Sequence, residues 1–113
     1  MTLDEFKAAA AETLEKLPKI FKEKMSNVEI VLSDEEARKG KSVLLGLYQG
    51  VPVSERNTWY TGALPDKITL YRKNIEAACP DDAGIKKMIK DTIIHEVGHH
   101  FGLSEKEIRE TGF

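Results

Sequence analysis

The chain has almost no cysteine. Cys79 is the only one in 113 residues, which excludes an intramolecular disulfide framework and makes that thiol a small, partly buried apolar side chain. No apolar run approaches the ~20 residues that a membrane helix needs. Residues 1–11 carry acids early and have no long apolar centre, unlike a secretory signal. The expected location is the cytoplasm. Charge of one sign is lacking too: 17 Lys and Arg stand against 19 Asp and Glu, for a net charge of −2. The basic residues are spread along the chain, so there is no electrostatic footprint for nucleic acid or an anionic membrane. Repeats and low-complexity tracts are missing. What remains is a globular composition, 41% hydrophobic and 32% charged, at a length that suits one domain over residues 1–113. Such a domain buries roughly two-thirds of its unfolded surface, enough for an ordinary core.

The apolar pattern predicts an α+β order. Residues 2–24 read as a helix capped by Thr2, with Phe6, Ala9, Ala10, Leu14 and Leu17 at helical spacing and Pro18 as a kink or interruption. Residues 28–32 alternate as a strand, and Ser33-Asp34-Glu35-Glu36 suits the cap of a short helical turn. A second apolar run covers 43–48. The Gly- and Pro-rich stretch 50–66 reads as a long loop, a feature that is often functional in a small domain. Residues 67–72 alternate as a third strand. Pro80-Asp81-Asp82 opens a helix that buries Ile85, Met88, Ile89, Thr92 and Ile93 and stops at Gly102. Ser104, with Glu107 three residues on, caps a last short helix through Arg109.

All three histidines fall between positions 95 and 100, on that long helix. In His95-Glu96-Val97-Gly98-His99 the two outer histidines are one turn apart on one face, so both imidazoles can reach one ion. Glu96 is then placed to hold a water activated by the ion and to take its proton. A site of this kind needs a third protein ligand. Gly102 permits a left-handed turn that swings the chain back, and a longer form of the motif puts a ligand three residues after such a glycine, where this chain has Glu105. A carboxylate is an acceptable zinc donor. Glu107 is the next candidate, in competition with its capping role. His100 points about 100° further round the helix, which suits packing or support of the ligands better than ligation. Gly98 costs ~1 kcal/mol of helix propensity, and close approach of another backbone segment is a reason to keep it. For a peptide substrate, strand 67–72 offers an edge for β-addition. Tyr60, Tyr71 and Arg56 are candidate polar donors, each more readily read as structural.

The sequence also resembles the small bacterial zincin-like metallopeptidases, sometimes called minimal zincins. The resemblance runs from about Leu32 to Phe113. It rests on Leu44-Leu45-Gly46-Leu47-Tyr48-Gln49-Gly50-Val51-Pro52, on Glu55-Arg56, and on Leu64-Pro65-Asp66-Lys67-Ile68-Thr69-Leu70-Tyr71-Arg72. It continues through the histidine motif to Ser104 and the terminal Gly112-Phe113. It implies a helix packed on a small mixed sheet and followed by the metal helix. It implies Zn2+ on His95 and His99, Glu96 as catalytic base, and a peptide or protein substrate. Relatives carry aspartate where Glu105 stands, so the carboxylate is kept on a longer side chain. Only the 14 residues 100–113 follow His99. A large second wall is therefore not expected, and the metal should lie in a shallow groove that excludes water poorly. Two further readings follow: a metal-binding interaction module without turnover, and a hydrolase whose groove is completed by a partner or by self-association.

Overall fold

A computed structural model of the chain describes residues 1–50 and 65–110, and only the backbone of Glu105 and Glu110. The loop expected over 50–66, with Arg56 and Tyr60, therefore lies outside the described residues except at its ends.

The fold is α+β. Helix α1 spans Leu3–Lys16, and its start is a complete capping box: Thr2 Oγ1 accepts from the Glu5 amide, and the Glu5 carboxylate accepts from the Thr2 amide. Phe6, Ala9, Ala10 and Thr13 form its buried face. The helix expected over 2–24 is broken in two. Leu17, the residue before Pro18, is extended (φ −63°, ψ 146°), as a pre-proline residue prefers. Helix α2 (Lys19–Lys24) then starts afresh and buries Phe21.

Strand β1 (Val28–Ser33) follows. The helical turn expected after it does not form: the Glu35 amide donates to Ser33 Oγ at 3.1 Å in a local turn. The chain instead makes a small hairpin of β2 (Arg38–Lys39) and β3 (Ser42–Val43), turning at Gly40 with φ 62°. The apolar run 43–48 is thus divided between β3 and strand β4 (Gly46–Gln49). Strand β5 (Asp66–Tyr71) leads directly into helix α3 (Arg72–Ala78), which begins at the residue expected to end the strand. Cys79 caps α3 and is half-buried against the core.

The main sheet has the order β1-β5-β4. Strand β1 runs parallel to β5, from Val28 opposite Asp66 to Ser33 opposite Tyr71, and β4 runs antiparallel to β5, from Gly46 opposite Leu70 to Gln49 opposite Lys67. The sheet is mixed, as expected, but the docking edge assigned to 67–72 is not there. Both edges of β5 are paired, and Ile68, Thr69, Leu70 and Tyr71 are all buried, as befits a central strand. Among the described residues, the strand at the edge of the sheet near the histidines is β4. Tyr71, a candidate hydroxyl donor, is buried at the end of this central strand.

Helix α4 (Asp82–His100) is the spine of the molecule. Asp81 caps it, accepting from the Gly84 amide at 2.7 Å. Ile85, Ile89, Thr92, Ile93, Ile94 and Val97 face inward, where they meet Phe6 and Phe21 of the N-terminal helices and Ile68 and Leu70 of the sheet. Gly102 (φ 77°) ends the helix through a left-handed turn, as its position implied. Helix α5 (Glu105–Glu110) then folds back, burying Ile108. Among the described residues no helix is long and apolar enough to cross a membrane.

Candidate metal centre

The last turn and a half of α4 carries the motif residues. His95 and His99 are exposed on the same side of the helix, their ring centroids 6.0 Å apart and their planes crossed at 82°. His95 Nδ1 lies 2.8 Å from the carbonyl oxygen of Asp91, one turn earlier. A carbonyl only accepts, so Nδ1 carries the proton and the lone pair is on Nε2, at the outer end of the ring. A hydrogen bond of this type fixes the tautomer and the aim of a metal-binding imidazole.

Glu96 is half-buried and turns toward the sheet, where its Oε2 accepts from the backbone amide of Tyr48 at 3.3 Å. That amide faces the helix because of strand register. Tyr71 donates to the Leu45 carbonyl at 2.9 Å. In an antiparallel pair, residues bonded to the neighbouring strand alternate with residues whose groups point away. Leu45, Leu47 and Gln49 therefore bond to β5, while Gly46 and Tyr48 direct their backbone groups outward. The close spacing of strand and helix depends on Gly46, whose missing Cβ would lie 2.5 Å from Thr92 Cγ2.

Tyr48 is a residue the motif alone did not reveal. Its hydroxyl donates to Asp66 Oδ2 at 2.7 Å, and its ring stacks on His100 with centroids 3.8 Å apart at 20°. His100 is thus a packing residue that ties the end of α4 to β4, in line with the expectation. Phe101 meets both rings edge-on. The signal for Tyr48 was a register, which depends on a partner strand more than fifteen residues away.

The close approach expected at Gly98 is present, though a side chain makes it. A Cβ there would lie 2.7 Å from Ile108 Cδ1, and the Leu103 amide donates to the Gly98 carbonyl at 2.7 Å. Helix α5 is therefore seated against the turn of α4 that carries His99. Glu105 is its first residue, and its side chain lies outside the described residues. Glu107 is engaged elsewhere. Its carboxylate accepts from the Ser104 amide at 3.3 Å and its amide donates to Ser104 Oγ at 3.1 Å, the capping box read from the sequence.

The donor chemistry fits zinc, since imidazole nitrogens one helical turn apart are a common zinc pair. Among the described residues no group of three metal-binding side chains is gathered. A search among curated proteins finds no match. A family model described as zincin-like metallopeptidase matches residues 25–113, from the end of α2 through the whole sheet and the histidine helix. The chain belongs to the zincin-like metallopeptidase family.

Proposed function

We propose that the chain is a zinc-dependent peptidase in which His95, His99 and Glu105 hold the metal and Glu96 is the general base. The observation that carries this reading is the division of labour on α4. Two crossed imidazoles face outward, and the carboxylate between them turns toward the edge of β4. Zinc, when bound, supplies a Lewis acid that makes water a nucleophile near neutral pH.

This chain's own residues would do the rest. The Asp91 carbonyl keeps His95 aimed outward. The Tyr48 amide holds Glu96 at the mouth of the groove between β4 and α4, where the carboxylate can take a proton from water and later return it to the leaving amine.

The test is a peptide-library digest with the zinc-loaded chain, its Glu96→Gln variant and a chelator control. A general base contributes ~100- to 10,000-fold, so cleavage should collapse in Glu96→Gln although zinc is retained. Cleavage that persists in Glu96→Gln rejects the assignment. A second reading, a hydrolase whose groove is completed by a partner protein or a second copy, is favoured by the exposure of both imidazoles and of Phe101. It predicts activity that rises more than linearly with protein concentration or appears only with the partner. Zinc binding without cleavage under either condition would leave the third reading, an interaction module built around the metal.

A further inference from the structure

Strand β1 lies at one edge of the main sheet, with β5 between it and β4. Among the described residues nothing pairs with its outer side. The Asp66 amide donates to the Asn27 carbonyl at 3.0 Å. In a parallel pair, residues bonded to the neighbouring strand alternate with residues whose groups point away. Glu29, Val31 and Ser33 therefore bond to β5, while Ile30 and Leu32 direct both N–H and C=O to the open side. Val28 has the same orientation, but its amide already donates to the Met25 carbonyl at 3.1 Å. The strand reads Val-Glu-Ile-Val-Leu-Ser and has no proline or lysine, two usual guards of an exposed edge.

The surface beside that edge is apolar. A cavity of about 210 Å³ opens between β1 and the junction of α1 and α2, lined by Leu14, Leu17, Lys22, Met25, Val28 and Ile30. Leu14 and Met25 are only half-buried, and Ile20 of α2 is 43% exposed. Charge is unequal along the strand. Lys22 and Lys24 stand in the last turn of α2 just before it, while Asp34, Glu35 and Glu36 follow it directly. Asp34 is paired to Arg72 at 2.9 Å, and Glu35 and Glu36 are exposed.

We infer that β1 pairs with β1 of a second copy, antiparallel about a two-fold axis at Val31, so that the two main sheets become one. This isologous arrangement brings the basic end of each strand beside the acidic end of the other. Ile30 then lies opposite Leu32 of the second copy, and every outward backbone group of both residues is used. An axis at Ile30 would require the Val28 amide, which the Met25 carbonyl holds. An axis at Glu29 would set two carboxylates directly opposite, a destabilising pair. An axis at Leu32 would have to draw in Asp34, beyond the end of the strand. Centred on Val31, the register puts Glu29 opposite Ser33 and Val31 opposite Val31. Ile30 and Leu32 pack toward the core, so those of both copies form one apolar strip beside the groove. The edge is thus complementary to itself in hydrogen bonds, apolar surface and charge.

The test follows the mass of the full chain by sedimentation, with a chelator present so that the exposed histidines cannot bridge copies through a metal. Over a concentration series up to ~100 µM the wild type should pass from 12.7 kDa to twice that mass. Val31→Lys sets two like charges face to face at the axis and should weaken association roughly 5- to 30-fold. The Val31 side chain is half-buried and its backbone bonds to β5 are kept, so the fold should survive; far-UV circular dichroism checks it. A cysteine pair tests the register independently, in a Cys79→Ser background. Directly opposite, non-hydrogen-bonded residues have Cα atoms ~4.5 Å apart, within disulfide reach. Val31→Cys should therefore cross-link between copies under oxidised glutathione. Glu29→Cys should not, since its mate in the second copy lies ~13 Å along the strand. A wild type that stays at 12.7 kDa, an association unchanged in Val31→Lys, or cross-linking as fast at 29 as at 31 overturns the pairing. Should Val31→Lys fail to fold, the cysteine pair decides alone.

Discussion

His95 owes its aim to the Asp91 carbonyl one turn back, and Glu96 owes its direction to the Tyr48 amide on another element. The first relation is local, since any histidine in a helix has a carbonyl four residues behind it, and the pairing of His95 with His99 follows from the same periodicity. That much of the geometry of the candidate site was legible in the sequence. The second relation needs the register of β4 against β5, which no local pattern encodes. The two acidic candidates near the C-terminus divide in a similar way. Glu107 spends its carboxylate on the Ser104 cap, whereas Glu105 begins the helix that Ile108 seats against Gly98. Glu105→Ala should therefore weaken zinc binding more than Glu107→Ala. Glu107→Ala should instead lower stability by ~1 kcal/mol through the lost cap. Competition against a chromophoric chelator, alongside urea titrations, checks both. Equal zinc affinities in the two variants would remove Glu105 from the site.

Between elements, the critical dimension is the gap separating β4 from α4, since Tyr48 and Glu96 bridge it. Gly46 sets that gap against Thr92, whose Cγ2 would lie 2.5 Å from a Cβ at position 46. Gly46→Ala should cost ~1–3 kcal/mol as an overpacked contact. Adding Thr92→Ser, which deletes the obstructing methyl, should recover most of it. Urea unfolding of the single and double variants reads the coupling; strictly additive changes would show that the contact does not set the spacing. The reach of sequence reasoning varies with the element. Helix α4 announced itself through the Asp81 cap, its buried isoleucines and Gly102. The hairpin β2–β3 did not, because two-residue strands of Arg-Lys and Ser-Val show no period. Helix α3 was hidden because Arg72 continues the strand pattern without a break. The central place of β5 was hidden because its alternation does not tell whether one face or both are covered, and Thr69 and Tyr71 are buried as well as Ile68 and Leu70.

For the molecule as a whole, the core and the proposed metal ligands are separate. Phe6, Phe21, Ile68, Leu70, Ile75, Ile89 and Ile93 are fully buried around the middle of α4, while His95 and His99 lie exposed near its end. The fold should therefore stand without metal, unlike a zinc finger, whose folding free energy is largely that of binding. Zinc binding to the native state alone must still stabilise it by mass action. At a free concentration 100 times the Kd this amounts to ~2.7 kcal/mol, or about 10 °C in Tm for a domain of this size. Circular dichroism melts should show the same helical signal with zinc and with excess chelator, and a Tm higher by about that amount with zinc. His95→Ala and His99→Ala should melt near the metal-free wild type and gain little from zinc, because each deletes a proposed ligand on the exposed face and leaves the core intact. Loss of the helical signal on chelation would mean that the metal organises the fold itself. An undiminished zinc-induced shift in both variants would place the bound metal away from the end of α4.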